Sequence, residues 1–85
     1  MVIKEQNSKI SLEMQTRIKN EIRGHMVAKG YTNESLANLI SEKYGRTESA
    51  QNLSNKLKRG AIKYAEVIEI AEALNFKITW LEKTE

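Results

Sequence analysis

GRTESAQNLSNKLKRG, residues 45–60, is the stretch on which the reading of this chain turns. Two glycines bracket a segment with one narrow apolar stripe, Ala50, Leu53 and Leu57. Positions three and four apart share a helix face, so the spacing predicts a short helix that buries this stripe. Gln51, Asn52, Asn55, Lys56, Lys58 and Arg59 fill the rest of its circumference. Extending the same wheel backwards places Glu48 with Asn52, Asn55 and Arg59 on the face opposite the stripe. Carboxamides match the hydrogen-bonding edges of bases, and cations match phosphates.

Charge supports an anionic partner met by one face. Residues 41–63 carry six Lys/Arg (43, 46, 56, 58, 59, 63) against Glu42 and Glu48, a local +4. Residues 64–85 carry Lys77 and Lys83 against five glutamates, a local −3. The net charge of +3 therefore understates how strongly the basic residues gather around the opening stretch.

The 85 residues make one domain with a modest core. There is no cysteine, hence no disulfide or thiolate metal site, and one histidine leaves no conventional zinc site or catalytic triad. No phosphate-binding loop is present and the carboxylates are scattered, so neither an enzyme nor a cofactor is expected. No apolar run approaches the ~18 residues of a membrane span. The start, MVIKEQNSKI, lacks the apolar region of a secretory signal. A cytoplasmic location is the expectation.

Working outward, residues 1–10 read as a flexible arm and residues 11–85 as the folded domain. A first helix is expected from near Ser11 to Lys29, with Met14, Ile18, Ile22 and Met26 on one stripe, His25 inside its apolar arc and Gly30 closing it. A second opens at Thr32 as N-cap, with Tyr31 and Leu36 as a hydrophobic staple, and ends at Gly45. The third is the opening stretch, capped by Thr47 or Ser49; the sequence leaves that choice open. The fourth spans about 63–74. Tyr64, Val67, Ile68, Ala71 and Leu74 form a broad arc expected to be mostly buried, and Asn75 is the terminator. Thr79 and Glu82 have capping-box spacing, which predicts a short fifth helix with Ile78 and Leu81 in the core. The expected fold is an all-α bundle of about five helices containing a helix-turn-helix.

Three segments carry a family resemblance: KGYTNESLA (29–37), LSNKLKRG (53–60) and IEIAEALNFKITWL (68–81). In this order and spacing they resemble the lambda-repressor-like helix-turn-helix superfamily, over about residues 18–81. The chain departs from that pattern in having 23 positions from Ala37 to Gly60, several more than most members, and in carrying His25 where an aliphatic residue is usual. The resemblance implies sequence-specific binding to double-stranded DNA in transcriptional control, most simply repression, with the third helix (about 49–59) in the major groove. Gln51, Asn52 and Asn55 would read bases, with Ser49 second to them. Thr32, Asn33, Lys43, Arg46, Lys56, Lys58, Arg59 and Lys63 would hold phosphates. Useful specificity calls for a homodimer, expected through Ile70, Phe76 and Trp80 or through the first helix. The alternative is a protein-interaction module on the same fold, such as an antitoxin, anti-repressor or adaptor, using the acidic C-terminal helices. RNA binding is disfavoured because Phe76 and Trp80 lie far from the basic stretch and provide no stacking platform there.

Overall fold

In the computed structural model, which describes residues 11–84, four helices follow one another: α1 Leu12–Ala28, α2 Asn33–Tyr44, α3 Ala50–Arg59 and α4 Tyr64–Ala73. No strand occurs among the described residues, so the fold is all-α. The arm expected over residues 1–10 lies outside the described residues.

Local chemistry sets each boundary. Ser11 accepts the Met14 N–H at 3.1 Å to open α1. At the start of α2, Thr32 Oγ1 accepts from Ser35 N at 3.1 Å, and Ser35 Oγ accepts from Thr32 N at 2.9 Å. This is a capping box with serine in the place more often taken by Glu or Gln. Gly45 ends α2 in the left-handed region, which costs a residue without Cβ little. Ser49, not Thr47, caps α3, accepting from Asn52 N at 3.0 Å. Lys63 offers α4 no acceptor, as its chemistry requires. Instead Glu66 reaches back and accepts the Lys63 N–H at 3.0 Å. Asn75 takes the left-handed conformation after α4.

The core is one cluster: Ile22 and Met26 from α1, Leu36, Ala37 and Ile40 from α2, Leu53 and Leu57 from α3, and Ile70 with Leu74 at α4. Helix α3 packs on both α1 and α2, and α4 packs chiefly on α2. The α1 stripe is therefore buried only over its second half. Met14, in the first half, remains exposed.

Three expectations need correction. The fifth helix does not form, and residues 76–84 carry no regular structure. The capping-box spacing at Thr79 and Glu82 does not by itself repay helix nucleation. No core surface is offered to its apolar side chains either: Trp80 is 83% and Leu81 87% exposed, and Ile78 is exposed as well. The apolar arc of α4 is wider than the contact available to it, so Tyr64 is exposed and Val67, Ile68 and Ala71 are only half-buried. His25 is exposed, its ring tilted against Phe76 at 4.7 Å between centroids.

Gly60 closes α3 at φ 65°, and a Cβ added there would stand 3.0 Å from Gln15 Cγ and 3.1 Å from Gln15 Cα. A non-glycine residue in this conformation costs about 1–2 kcal/mol before any clash. Gly60→Ala should accordingly lower the melting temperature by roughly 10 °C in a circular-dichroism melt. Gly24, inside α1 with open space around it, should behave oppositely. Gly24→Ala should raise stability by up to about 1 kcal/mol.

Candidate functional site

Helix α3 buries Leu53 and Leu57 and leaves most of its remaining surface to solvent. Gln51, Asn52, Lys58 and Arg59 are exposed, and Asn55 is half-buried. Gln51 Nε2 donates to Asn55 Oδ1 at 3.3 Å, one helical turn on. That contact leaves Gln51 Oε1 and Asn55 Nδ2 without a hydrogen-bond partner among the described residues. One is an acceptor and the other a donor, the complement of the N6 donor and N7 acceptor on adenine. Ser49 is exposed, but its oxygen is engaged by the Asn52 N–H, so the cap limits its other uses.

The five-residue link 45–49 is held from α2. Ser41 Oγ accepts from Glu48 N at 2.8 Å and donates to Ala37 O at 2.9 Å. This pinning accommodates the long spacing between Ala37 and Gly60. It also explains a misplaced residue. Glu48 belongs to the extended entry to α3, not to its helical wheel, so the 100° periodicity stops at Ala50. Glu48 lies in the interior at 9% exposure instead of on the polar face.

The cations divide into two groups. Lys56 is turned inward, 2.5 Å from Glu66 Oε2 and 3.5 Å from Glu48 Oε2. Glu48 Oε2 is buried and accepts no hydrogen bond among the described residues, so its compensation is the nearby ammonium. Arg46 is likewise engaged, its two terminal nitrogens donating to both oxygens of Glu69 at 3.2 and 2.5 Å. Tyr44 lies under this pair and donates to Glu72 Oε1 at 3.0 Å. Lys58, Arg59 and Lys63 are exposed and make no ion pair among the described residues. Lys43 is exposed beside the Tyr44 ring. Thr32 and Asn33 open α2 beside Arg23 and Val27 of α1, with the Thr32 hydroxyl committed to the capping box. Of the residues expected at phosphates, Lys43, Lys58, Arg59 and Lys63 thus have no ion pair among the described residues, while Lys56 and Arg46 hold the helices together. Among those expected at a dimer contact, Ile70 is in the core and Phe76 packs against His25 and Lys29, which leaves Trp80 exposed.

The glutamates of α4 were the functional partners that pattern reading missed. Glu66, Glu69 and Glu72 recur every three residues, on the helix that follows the basic segment. That opposite-sign row was the available signal. The protonation behaviour follows from these contacts. The Glu66 hydrogen bond holds Lys56 above its ordinary pKa despite burial. Burial tends to raise the Glu66 pKa, but the hydrogen bonds from Lys56 and the Lys63 backbone outweigh it and bring the pKa below the ordinary value. For Arg46, the Glu69 hydrogen bonds raise the pKa.

The fold and site together define a small all-helical protein with an amide- and cation-bearing helix on its surface. The chain belongs to the family described as a domain of unknown function, DUF6471, whose model matches residues 14–79. No curated protein and no solved structure matches it. Among the described residues, no helix is long and apolar enough to cross a membrane, and no cluster of His, Cys, Asp and Glu could hold a metal ion.

Removing Lys56 would leave Glu48 buried without compensation, a costly arrangement. Lys56→Ala should destabilise the fold by about 2 kcal/mol, while Lys58→Ala should stay within about 0.5 kcal/mol. Urea titrations of the two variants give the comparison. A carboxylate with a depressed pKa contributes stability above its ordinary pKa, and that contribution is lost as pH falls through the folded-state value. Melting temperature should therefore drop as the pH is lowered through the carboxylate range. Glu66→Gln should start lower at neutral pH and lose less over the same interval.

Proposed function

We propose that this chain is a small sequence-specific double-stranded DNA-binding protein of the helix-turn-helix type, acting in transcriptional control and most simply as a repressor. In this reading α2, the link 45–49 and α3 form the motif, and α3 enters the major groove. The observation that carries it is the composition of α3's outer surface. A helix anchored by two leucines presents Gln51, Asn52 and Asn55 beside Lys58 and Arg59, two cations with no carboxylate partner among the described residues. Asn and Gln suit adenine, and free cations suit the flanking phosphates. The resemblance to lambda-repressor-like regulators points the same way.

Base reading falls to Gln51, Asn52 and Asn55, with Ser49 reduced to the margin by its capping role. Phosphate contacts fall to Lys43, Lys58, Arg59 and Lys63. Lys56 and Arg46 take a supporting part, since their charges are already met by Glu66 and Glu69. The protein works as a pair of copies on two half-sites about one helical turn apart.

Fluorescence anisotropy against random-sequence duplex DNA tests this reading. Binding should weaken steeply with salt, because each phosphate contact contributes a slope of about −0.9 in log K against log salt. Replacing Lys58, Arg59 and Lys63 with alanine should flatten that slope by about 3 per copy. Asn52→Ala and Asn55→Ala should each blur the motif recovered by sequencing the bound fraction, losing about 1–3 kcal/mol of discrimination. Absence of binding at low salt would refute the proposal. It would favour the protein-interaction reading, which draws on the exposed apolar residues at the C-terminal end.

A further inference from the structure

In the linear chain Trp80 stands well away from the basic segment 41–63, which argues against a base-stacking platform there. The fold brings the two together. The Trp80 indole N–H donates to Tyr64 Oη at 3.3 Å. Tyr64 in turn opens α4 directly after Lys63, the last cation of that segment. The two ring centroids lie 6.5 Å apart with their planes 68° from parallel, an edge-on contact. One end of the indole is thereby anchored while the residue stays 83% exposed, and Tyr64 is 53% exposed beside it.

The hydrogen bond sets where the indole stands without covering it. An aromatic face open to water is what an unpaired base stacks on. A ring already held in place loses less side-chain freedom when the base arrives.

The charges around the pair suit a polyanion. Lys63 is exposed and makes no ion pair among the described residues. Lys77 and Lys83, both exposed, lie three residues to either side of Trp80 in the chain, with Glu82 between them. The glutamates of α4 oppose this little, because Glu66 is paired with Lys56, Glu69 with Arg46, and Glu72 accepts from Tyr44 of α2. Exposed aromatics interleaved with cations select a nucleic-acid strand over an apolar protein surface.

We propose that Trp80, anchored on Tyr64, is a stacking platform for an unpaired base of a single-stranded nucleic acid, with Lys63 as the phosphate contact beside it. The site is distinct from the amide-bearing surface of α3 and does not depend on the duplex-reading role given to that helix. Only Lys63 is common to both.

Trp80 is the only tryptophan, so its emission reports on the site directly. In the full chain without ligand, the emission should have the long-wavelength maximum of an indole in water and be readily quenched by acrylamide. A shielded indole in the free protein would overturn the proposal, since residues 1–10 or a second copy would then occupy the platform. The probes are oligodeoxyuridylate and oligouridylate of about 12 nucleotides. They differ only in the 2′-hydroxyl, so the tighter of the two names the strand. Titration at low salt should quench the Trp80 emission to saturation. Trp80→Leu keeps an apolar side chain without a π-face, and by anisotropy of a labelled probe it should weaken binding about fivefold or more. Trp80→Phe should recover part of that loss. Lys63→Gln should flatten the slope of log K against log salt by about 0.7. Trp80 lies outside the helices, so circular dichroism should give both of its variants the wild-type helix content. Asn52→Ala and Asn55→Ala should leave single-strand binding unchanged, which separates failure of this site from failure of duplex reading. Absence of quenching by either probe, or binding that Trp80→Leu leaves as tight as before, would overturn the proposal.

Discussion

The rest of the structure depends on how a ten-residue helix with two buried leucines is kept in place. Burying Leu53 and Leu57 contributes about 2 kcal/mol each, which is little for orienting a helix whose other faces are polar. A further hold on α3 comes from Lys56. Its ammonium is drawn inward by Glu66 of α4 and by Glu48 at the entry to α3, so one cation joins two helices and the link before them. The arrangement is asymmetric in energy. The pair adds modestly when intact, but the buried Glu48 would be left uncompensated if the lysine were lost.

A second contact of the same kind lies at the end of α2. Arg46 meets Glu69 through both terminal nitrogens, and Tyr44 under it donates to Glu72. These groups are half-exposed, so they contribute less energy than alignment. Together the two networks attach the acidic side of α4 to the basic segment on either side of the link. Two consequences follow for function. The local +4 is partly neutralised within the fold, and of its six cations Lys43, Lys58, Arg59 and Lys63 have no ion pair among the described residues. The acidic residues that suggested a basic protein partner are largely occupied at home, since Glu66, Glu69 and Glu72 each have a partner.

The apolar residues show a similar redistribution. Helix α4 has a wider apolar arc than its neighbours can cover, and the segment after it does not fold back as a helix. Phe76 returns to the body, against His25 and Lys29 of α1. Beyond it the chain leaves Trp80 and Leu81 in solvent, with the Trp80 ring edge-on to Tyr64.

Four helices and their ends were legible in the sequence, because the signals that set them are local. A hydroxyl at an N-cap, a glycine able to take positive φ and an apolar repeat of three and four act within a few residues. They placed Ser11, Thr32, Gly45, Gly60 and Asn75 at the boundaries the chain adopts. The inward stripe of α3 and its exposed amides followed from the same periodicity. Only the tertiary structure decided which charges meet. Lys56 and Lys58 are indistinguishable by type and two positions apart, yet one is turned to Glu66 and the other to solvent. That difference depends on where α4 crosses, at a sequence separation no local pattern encodes. The fate of residues 76–84 was decided in the same way. Their capping-box spacing was a valid local signal, but such a signal sustains a helix only when a core receives its apolar face, and Ile78, Trp80 and Leu81 stay exposed.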